Sequence, residues 1–208
     1  MTEQDQQPPA RKARQTWVKP TIIPHRSGLM NKFGAVQHRG WQEDIDGVPI
    51  ADLLKKHGSP LFVISESRLR ENFRRINRVL SARYPSVVFG WSYKTNYLGA
   101  VCNTFHQEGA WAEVVSSFEY EKARSIGVPG NRILFNGPYK PREILERAIA
   151  EGAHIHIDHL DELYTLEELA QEADREVPVT LRLNFDTGYT EPWSRFGFNI
   201  ESGQAMDA

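Results

Sequence analysis

Ser86-Val87-Val88-Phe89-Gly90-Trp91-Ser92-Tyr93-Lys94-Thr95-Asn96-Tyr97 is the stretch on which the reading of this chain turns. Its β-branched and aromatic residues, after Pro85, predict a buried strand, and Leu98 to His106 then predicts a helix. Lys94 falls where the strand ends. In a protein of repeating βα units, the carboxyl ends of the strands are where chemistry gathers. An amine partly desolvated there is disfavoured in its charged form and becomes a nucleophile toward carbonyls, the chemistry of a Schiff-base lysine. A single lysine at a strand end is by default a solvated ammonium, so the surrounding pattern has to decide.

The alternation continues on both sides. Upstream, Ile50 to Lys56 predicts a short helix stopped by Gly58 and Pro60. Leu61 to Ser65 predicts a first strand, and Leu69, Phe73, Ile76 and Leu80 recur at helical spacing. Downstream, strands are predicted at Trp111–Ser116, Arg132–Asn136, His154–Asp158 and Pro178–Asn184. Helices are predicted at Phe118–Ile126, ended by Gly127, at Pro141–Ala150, and over Leu160, Leu163, Leu166 and Leu169. Ile200–Ala208 reads as the start of another. Strands and helices alternating every ~25 residues predict parallel βα units. No Gly-x-Gly-x-x-Gly follows the first strand, which argues against a dinucleotide fold. The expectation is an α/β chain with the (β/α)8 architecture of a TIM-type barrel, usually about 250 residues long. With about six units it is expected to be an incomplete barrel and part of a longer protein.

The totals bound the rest. A length of 208 residues, with 40% hydrophobic and 25% charged, fits a soluble globular protein of one good-sized domain or two small ones. No apolar run is long enough to span a membrane and the polar N-terminus has no secretion signal, so a cytoplasmic protein is expected. A net charge of −2 with mixed signs gives no nucleic-acid footprint. The single Cys102 excludes an intramolecular disulfide and reads as a small core residue. Residues 1–15 are expected to be a disordered lead-in, 16–45 an arm of scattered apolar residues, and 46–208 the barrel domain. His154-x-His156-x-Asp158-His159 has the donor types of a metal site but reads as structural, with Asp158 at the strand end facing the site and no metal expected. Arg182 inside a strand needs an acidic partner on a neighbouring strand, and Glu113 is the expected one. Arg68, Arg70, Arg74, Arg75 and Arg78 read as a solvent-facing helix surface. The loop holding Asp186-Thr187-Gly188-Tyr189 and Glu191-Pro192-Trp193 follows a strand end, a position suited to substrate contact.

Several motifs, in order, then carry a resemblance. They are Gly47-Val48-Pro49-Ile50-Ala51-Asp52-Leu53 with Gly58-Ser59-Pro60-Leu61-Phe62-Val63; Tyr93-Lys94-Thr95-Asn96; Ala112-Glu113-Val114-Val115-Ser116-Ser117-Phe118-Glu119; Ile133-Leu134-Phe135-Asn136-Gly137-Pro138-Tyr139-Lys140; Ile157-Asp158 with Asp161-Glu162-Leu163; Leu181-Arg182-Leu183-Asn184; and Ser194-Arg195-Phe196-Gly197-Phe198. From about Asp46 to Phe198 the chain resembles the ornithine/diaminopimelate/arginine decarboxylases, pyridoxal-phosphate enzymes on an alanine-racemase-like barrel, and diaminopimelate decarboxylases most. The resemblance implies that Lys94 carries pyridoxal 5′-phosphate and is the catalytic residue, with Glu113, Arg182, Asn96 and Asp158 around the cofactor. It implies an amino-acid substrate and, at full length, a homodimer. Two departures stand out: Glu113 replaces the usual Asp, and Ser117-Phe118 replaces small glycines. The family's ring-stacking histidine, glycine-rich phosphate loop, acid at the pyridine nitrogen and C-terminal β-domain have no counterpart here, so the chain alone is expected to be inactive. Amino-acid racemisation on the same scaffold and a non-catalytic pyridoxal-phosphate-binding protein are the alternatives. The Ser194–Phe198 motif resembles the decarboxylases.

Overall fold

A computed structural model describes residues 42–189 and 195–208. The expected lead-in, the arm up to residue 41 and the stretch 190–194, with Glu191, Pro192, Trp193 and Ser194, lie outside the described residues. Two short strands, β1 (Asp44–Ile45) and β2 (Val48–Pro49), pair as an antiparallel hairpin. Helix α1 (Ile50–His57) runs directly from it to Gly58. Helix α2 (Glu66–Ser81) starts at Ser65, whose hydroxyl accepts the Arg68 N–H at 3.1 Å and satisfies one of the helix's unpaired donors.

From there the chain alternates as its periodicities predict. The elements are β3 (Gly90–Ser92), α3 (Gly99–Gln107), β4 (Trp111–Val114), α4 (Ser117–Ser125), β5 (Ile133–Phe135), α5 (Arg142–Glu151), β6 (His154–Ile157), α6 (Leu160–Glu172), β7 (Val179–Leu181), β8 (Leu183–Asn184), β9 (Phe198–Asn199) and α7 (Gln204–Asp207). Strands β3 to β7 pair in chain order, all parallel, and β8 pairs in parallel with β9. Arg182 joins the two ladders. Its N–H donates to Ile157 on β6 at 2.9 Å, and its carbonyl accepts the Phe198 N–H at 2.7 Å. So β7 and β8 are one strand that changes neighbour at Arg182, and the whole is a partial (β/α) barrel. Gly197 makes the β9 contact possible. Its φ is +80°, and a Cβ there would lie 2.6 Å from the Arg182 carbonyl oxygen.

The two faces of this sheet differ sharply. Tyr93, Ala112, Val114, Ile133, Phe135, Ile155, Ile157 and Phe198 point to the helices and form the core with Cys102, Tyr120, Ala123, Leu145, Ala148 and Leu166. Each large side chain fully buried there contributes roughly 1.5–3 kcal/mol. Cys102 is buried, as expected of a core residue. Residues of the other parity share the opposite face, and they are mostly polar.

Two local expectations fail for physical reasons. Leu61–Ser65 forms no ladder among the described residues, and Phe62 is 96% exposed. A strand exists only where its N–H and C=O groups find a partner, and the outer edge of β3 pairs with none of the described residues. For the same reason the strand expected after Pro85 and ending at Lys94 shrinks to Gly90–Ser92. Phe198–Asn199 forms a strand where the sequence raised no expectation of one.

Candidate active site

The carboxyl ends of β3 to β8 place their polar residues on the face away from the helices. Ser92 is the register partner of Glu113, so the two share that face. Glu113 accepts a hydrogen bond from Asn136 Nδ2 at 3.3 Å. His156 pairs in register with Thr180. Arg182 Nη1 donates to Asp158 Oδ1 at 3.0 Å, and its guanidinium lies 4.8 Å over the Phe196 ring. The expected partner of Arg182 was Glu113, and this is corrected by the strand order. Arg182 extends from β7, which adjoins β6 and its Asp158, whereas Glu113 sits on β4, separated by β5 and β6.

Lys94 follows β3 by two residues, in a turn. It is exposed, and no hydrogen bond or ion pair holds it among the described residues. The turn itself is built firmly. Tyr93 N–H donates to the Glu113 carbonyl at 3.0 Å, and Thr95 Oγ1 donates to the Ser92 carbonyl at 2.7 Å. Asn96 uses its side-chain oxygen on Leu98 N–H at 3.0 Å, while its carbonyl accepts Trp91 Nε1 at 3.0 Å. Asn96 is thus a turn-former whose amide starts α3. The Tyr93 side chain points the other way, into the core, where its hydroxyl meets His106 Nε2 at 2.8 Å. His106 Nδ1 lies 2.8 Å from the Ala110 carbonyl, which can only accept, so Nδ1 carries the proton and Tyr93 donates to Nε2. Burial lowers the His106 pKa and raises that of Tyr93, consistent with a neutral pair.

A carboxylate faces this turn from the next unit. At the start of α4, Ser116 Oγ accepts the Glu119 N–H at 3.3 Å, and Glu119 Oε2 accepts the Val115 N–H at 2.7 Å. Burial pushes the Glu119 carboxyl above its ordinary value. The Val115 N–H opposes this, Glu113 reinforces it, and the Lys94 ammonium opposes it. Lys94 and Glu113 therefore each lie within electrostatic reach of Glu119. His156 is lowered, chiefly by burial and then by the Lys140 charge, with Glu113 opposing.

The same device recurs two units on. His159 Nδ1 accepts the Glu162 N–H at 3.3 Å, and Glu162 Oε2 accepts the Asp158 N–H at 3.0 Å. Here a lysine is bound to the other oxygen. Lys140 Nζ donates to Glu162 Oε1 at 2.5 Å and to the Gly137 and His156 carbonyls at 2.8 Å each, with both side chains of the pair essentially fully buried. Desolvation lowers the Lys140 pKa, against the pull of Glu162. Gly137 has φ +98°, and a Cβ there would meet the Val115 carbonyl at 2.4 Å, so the β5 exit crosses the β4 exit at glycine distance.

The structure thus brings Lys94, Glu113, Asp158 and Arg182 to one end of one face, with Asn96 shaping the turn beneath. Ser92, Glu119, Asn136, Lys140, His156 and Glu162 join them there, with roles the sequence reading did not assign. The signal for the two glutamates was available, since Ser116-x-x-Glu119 and His159-x-x-Glu162 both have capping-box spacing. The His154, His156, Asp158 and His159 group forms no metal-ligand cluster among the described residues. No helix among them is long and apolar enough to cross a membrane.

Residues 66–208 match the pyridoxal binding domain of the pyridoxal-dependent decarboxylases. A diaminopimelate decarboxylase of Methanothermobacter thermautotrophicus is 33% identical over 140 residues, 67% of this chain and 32% of that protein. Another, of Methanocaldococcus jannaschii, is 30% identical over 179 residues, 79% of this chain and 40% of that protein. The crystal structure of the M. jannaschii diaminopimelate decarboxylase with L-lysine superposes with a TM-score of 0.69 at 28% identity, covering 79% of this chain and 41% of that one. The chain therefore spans about a third to two-fifths of the length of these relatives.

Proposed function

This chain belongs to the pyridoxal-dependent decarboxylase family, and from that premise we propose that Lys94 is the residue that holds pyridoxal phosphate and that the intact protein decarboxylates an amino acid, diaminopimelate first among the candidates. The observation that carries this reading is the contrast between two lysines at strand ends. Lys140 has every ammonium hydrogen engaged in a dry site, whereas Lys94 presents an accessible amine on the polar face. The residues fit the group. The buried Ser92 hydroxyl on that face has no hydrogen-bond partner among the described residues, as expected of an atom reserved for something bound there.

When bound, pyridoxal phosphate supplies an electron sink for the electron pair left at Cα after carboxylate departure. The chain's own residues supply orientation and charge. Lys94 offers a primary amine to the cofactor carbonyl. Glu119, within electrostatic reach of both Lys94 and Glu113, adds negative charge near that amine. Arg182, aimed by Asp158 and stacked on Phe196, is the fixed cation of the face and the group we assign to an anionic part of the cofactor or substrate. Glu113 is kept in place by Asn136. The family's use of two subunits is part of this proposal and is checked by sedimentation of the intact protein.

The test is to offer the intact protein L-amino acids with pyridoxal phosphate and to follow both products. The proposal expects CO2 release, fastest with diaminopimelate and abolished in Lys94→Ala. A D-amino acid formed without CO2 would assign the scaffold to racemisation instead.

A further inference from the structure

Five residues outside the Lys94 turn form a continuous chain of contacts, joined at one point through the Asp158 backbone N–H. Lys140 Nζ donates to Glu162 Oε1, Glu162 Oε2 accepts the Asp158 N–H, Asp158 Oδ1 accepts Arg182 Nη1, and the Arg182 guanidinium lies over Phe196. Each end is distinct. Lys140 is inaccessible, its three hydrogens taken by Glu162, Gly137 and His156, so it cannot meet a ligand. Arg182, about a third exposed, is open to the polar face. Between them, the His156 carbonyl and the Asp158 N–H are pinned on either side of Ile157. The carboxyl end of β6 is thus held at two successive backbone points before its Asp158 side chain turns to the arginine.

A buried ion pair of this kind is a poor way to gain stability, because desolvating both charges offsets their attraction; well-packed apolar side chains of similar volume generally do as well. Its retention is accounted for by what it fixes. We propose that Lys140 is a positioning residue, which acts through Glu162 and Asp158 to aim Arg182 across the cofactor face. This rests on the reading of that face as the pyridoxal-phosphate site for its purpose, but not for its geometry.

The two parts separate experimentally. Lys140→Met leaves Glu162 buried and unpaired and is expected to unfold readily, so the informative variant of the intact protein is Lys140→Met with Glu162→Leu, which removes both charges. Asp158→Asn, which leaves the buried pair intact, gives the reference for a released arginine. The first readout needs no cofactor: the Arg182 Nε–H signal in a nitrogen-edited NMR spectrum. It is expected to be dispersed and slow to exchange in the parent, and to collapse to the position of a solvated arginine in both the double variant and Asp158→Asn, while backbone dispersion persists. The second is pyridoxal-phosphate affinity by absorbance titration. The double variant is expected to bind roughly tenfold more weakly, the order of one lost charged hydrogen bond, with no further loss when Arg182→Ala is added. An unchanged Arg182 signal in the folded double variant would overturn the proposal, as would losses that add in full to those of Arg182→Ala. A double variant that fails to fold would overturn it as well, since the pair would then hold the fold and not one side chain. An intact parent protein that binds no pyridoxal phosphate would sink the functional reading, while the NMR result would still decide the positioning role.

Discussion

Lys94 and Lys140 occupy comparable places and have opposite fates. Each lies in the loop between a strand and the next helix, and each has near it a glutamate at the start of the next unit's helix, Glu119 on α4 within electrostatic reach of Lys94 and Glu162 on α6 bonded to Lys140. At Lys140 the loop is longer, the chain crosses under Val115 at Gly137, and the amine drops into a dry pocket of three acceptors. At Lys94 the turn closes two residues after the strand, through Ser92 and Asn96, and the amine stays outside. The difference teaches that a lysine's chemistry here is set by how far past the strand end it sits. One is consumed by structure; the other remains available to react.

The largest expected effect breaks this comparison in stability. Lys140→Met is expected to cost about 3–5 kcal/mol, the cost of leaving one buried partner unpaired. Lys94→Met, at an exposed position, is expected to stay within about 0.5 kcal/mol of the parent. Urea unfolding of the two variants checks both, and similar midpoints would contradict the account.

Next come the glutamates. Glu162→Gln keeps an acceptor for the Asp158 N–H but leaves Lys140 with no carboxylate, a loss of about 1.5–3 kcal/mol. Glu119→Gln retains an acceptor for Val115 and relieves the burial of a charge, so its cost is expected to be smaller, at most about 1 kcal/mol. Thermal unfolding in parallel ranks them. Tyr93→Phe, behind Lys94, leaves His106 Nε2 without its donor and is expected to cost about 1 kcal/mol, with covalent capture at Lys94 retained.

How much of this was legible in the sequence varied with the kind of information needed. The strands at Trp111, Arg132, His154 and Pro178 were legible because each is an apolar-rich run flanked by periodic helices, and their parallel order follows from that alternation. The partial barrel was legible for the same reason, as was the position of Lys94 just past a strand end. The partner of Arg182 was not, since it depends on which strand lies beside which. Leu61–Ser65 has the composition of a strand but no partner among the described residues, and composition cannot supply one. Phe198–Asn199 was hidden behind Gly197, whose purpose is visible only once Arg182 is seen against it. The burial of Lys140 was equally hidden, because three acceptors from three segments create it.

The smallest effect sharpens the comparison through pH. A Glu119 whose folded pKa is raised holds its proton more tightly than in the unfolded chain, where it titrates near its usual 4.5. Its contribution to stability is therefore fullest below that value and declines as pH rises toward the folded pKa, the reverse of a carboxylate in an ion pair. Glu119→Gln is expected to flatten that part of the stability-versus-pH curve. An unchanged curve would mean that Glu119 is not the buried group described.

The central claim is that of two strand-end lysines only Lys94 is chemically available. Borohydride reduction of the protein with pyridoxal phosphate, followed by digestion and peptide mass mapping, tests it directly. The account predicts a phosphopyridoxyl group on Lys94 and none on Lys140. A label on Lys140, or a labelled protein whose Lys94 peptide is unmodified, would contradict it.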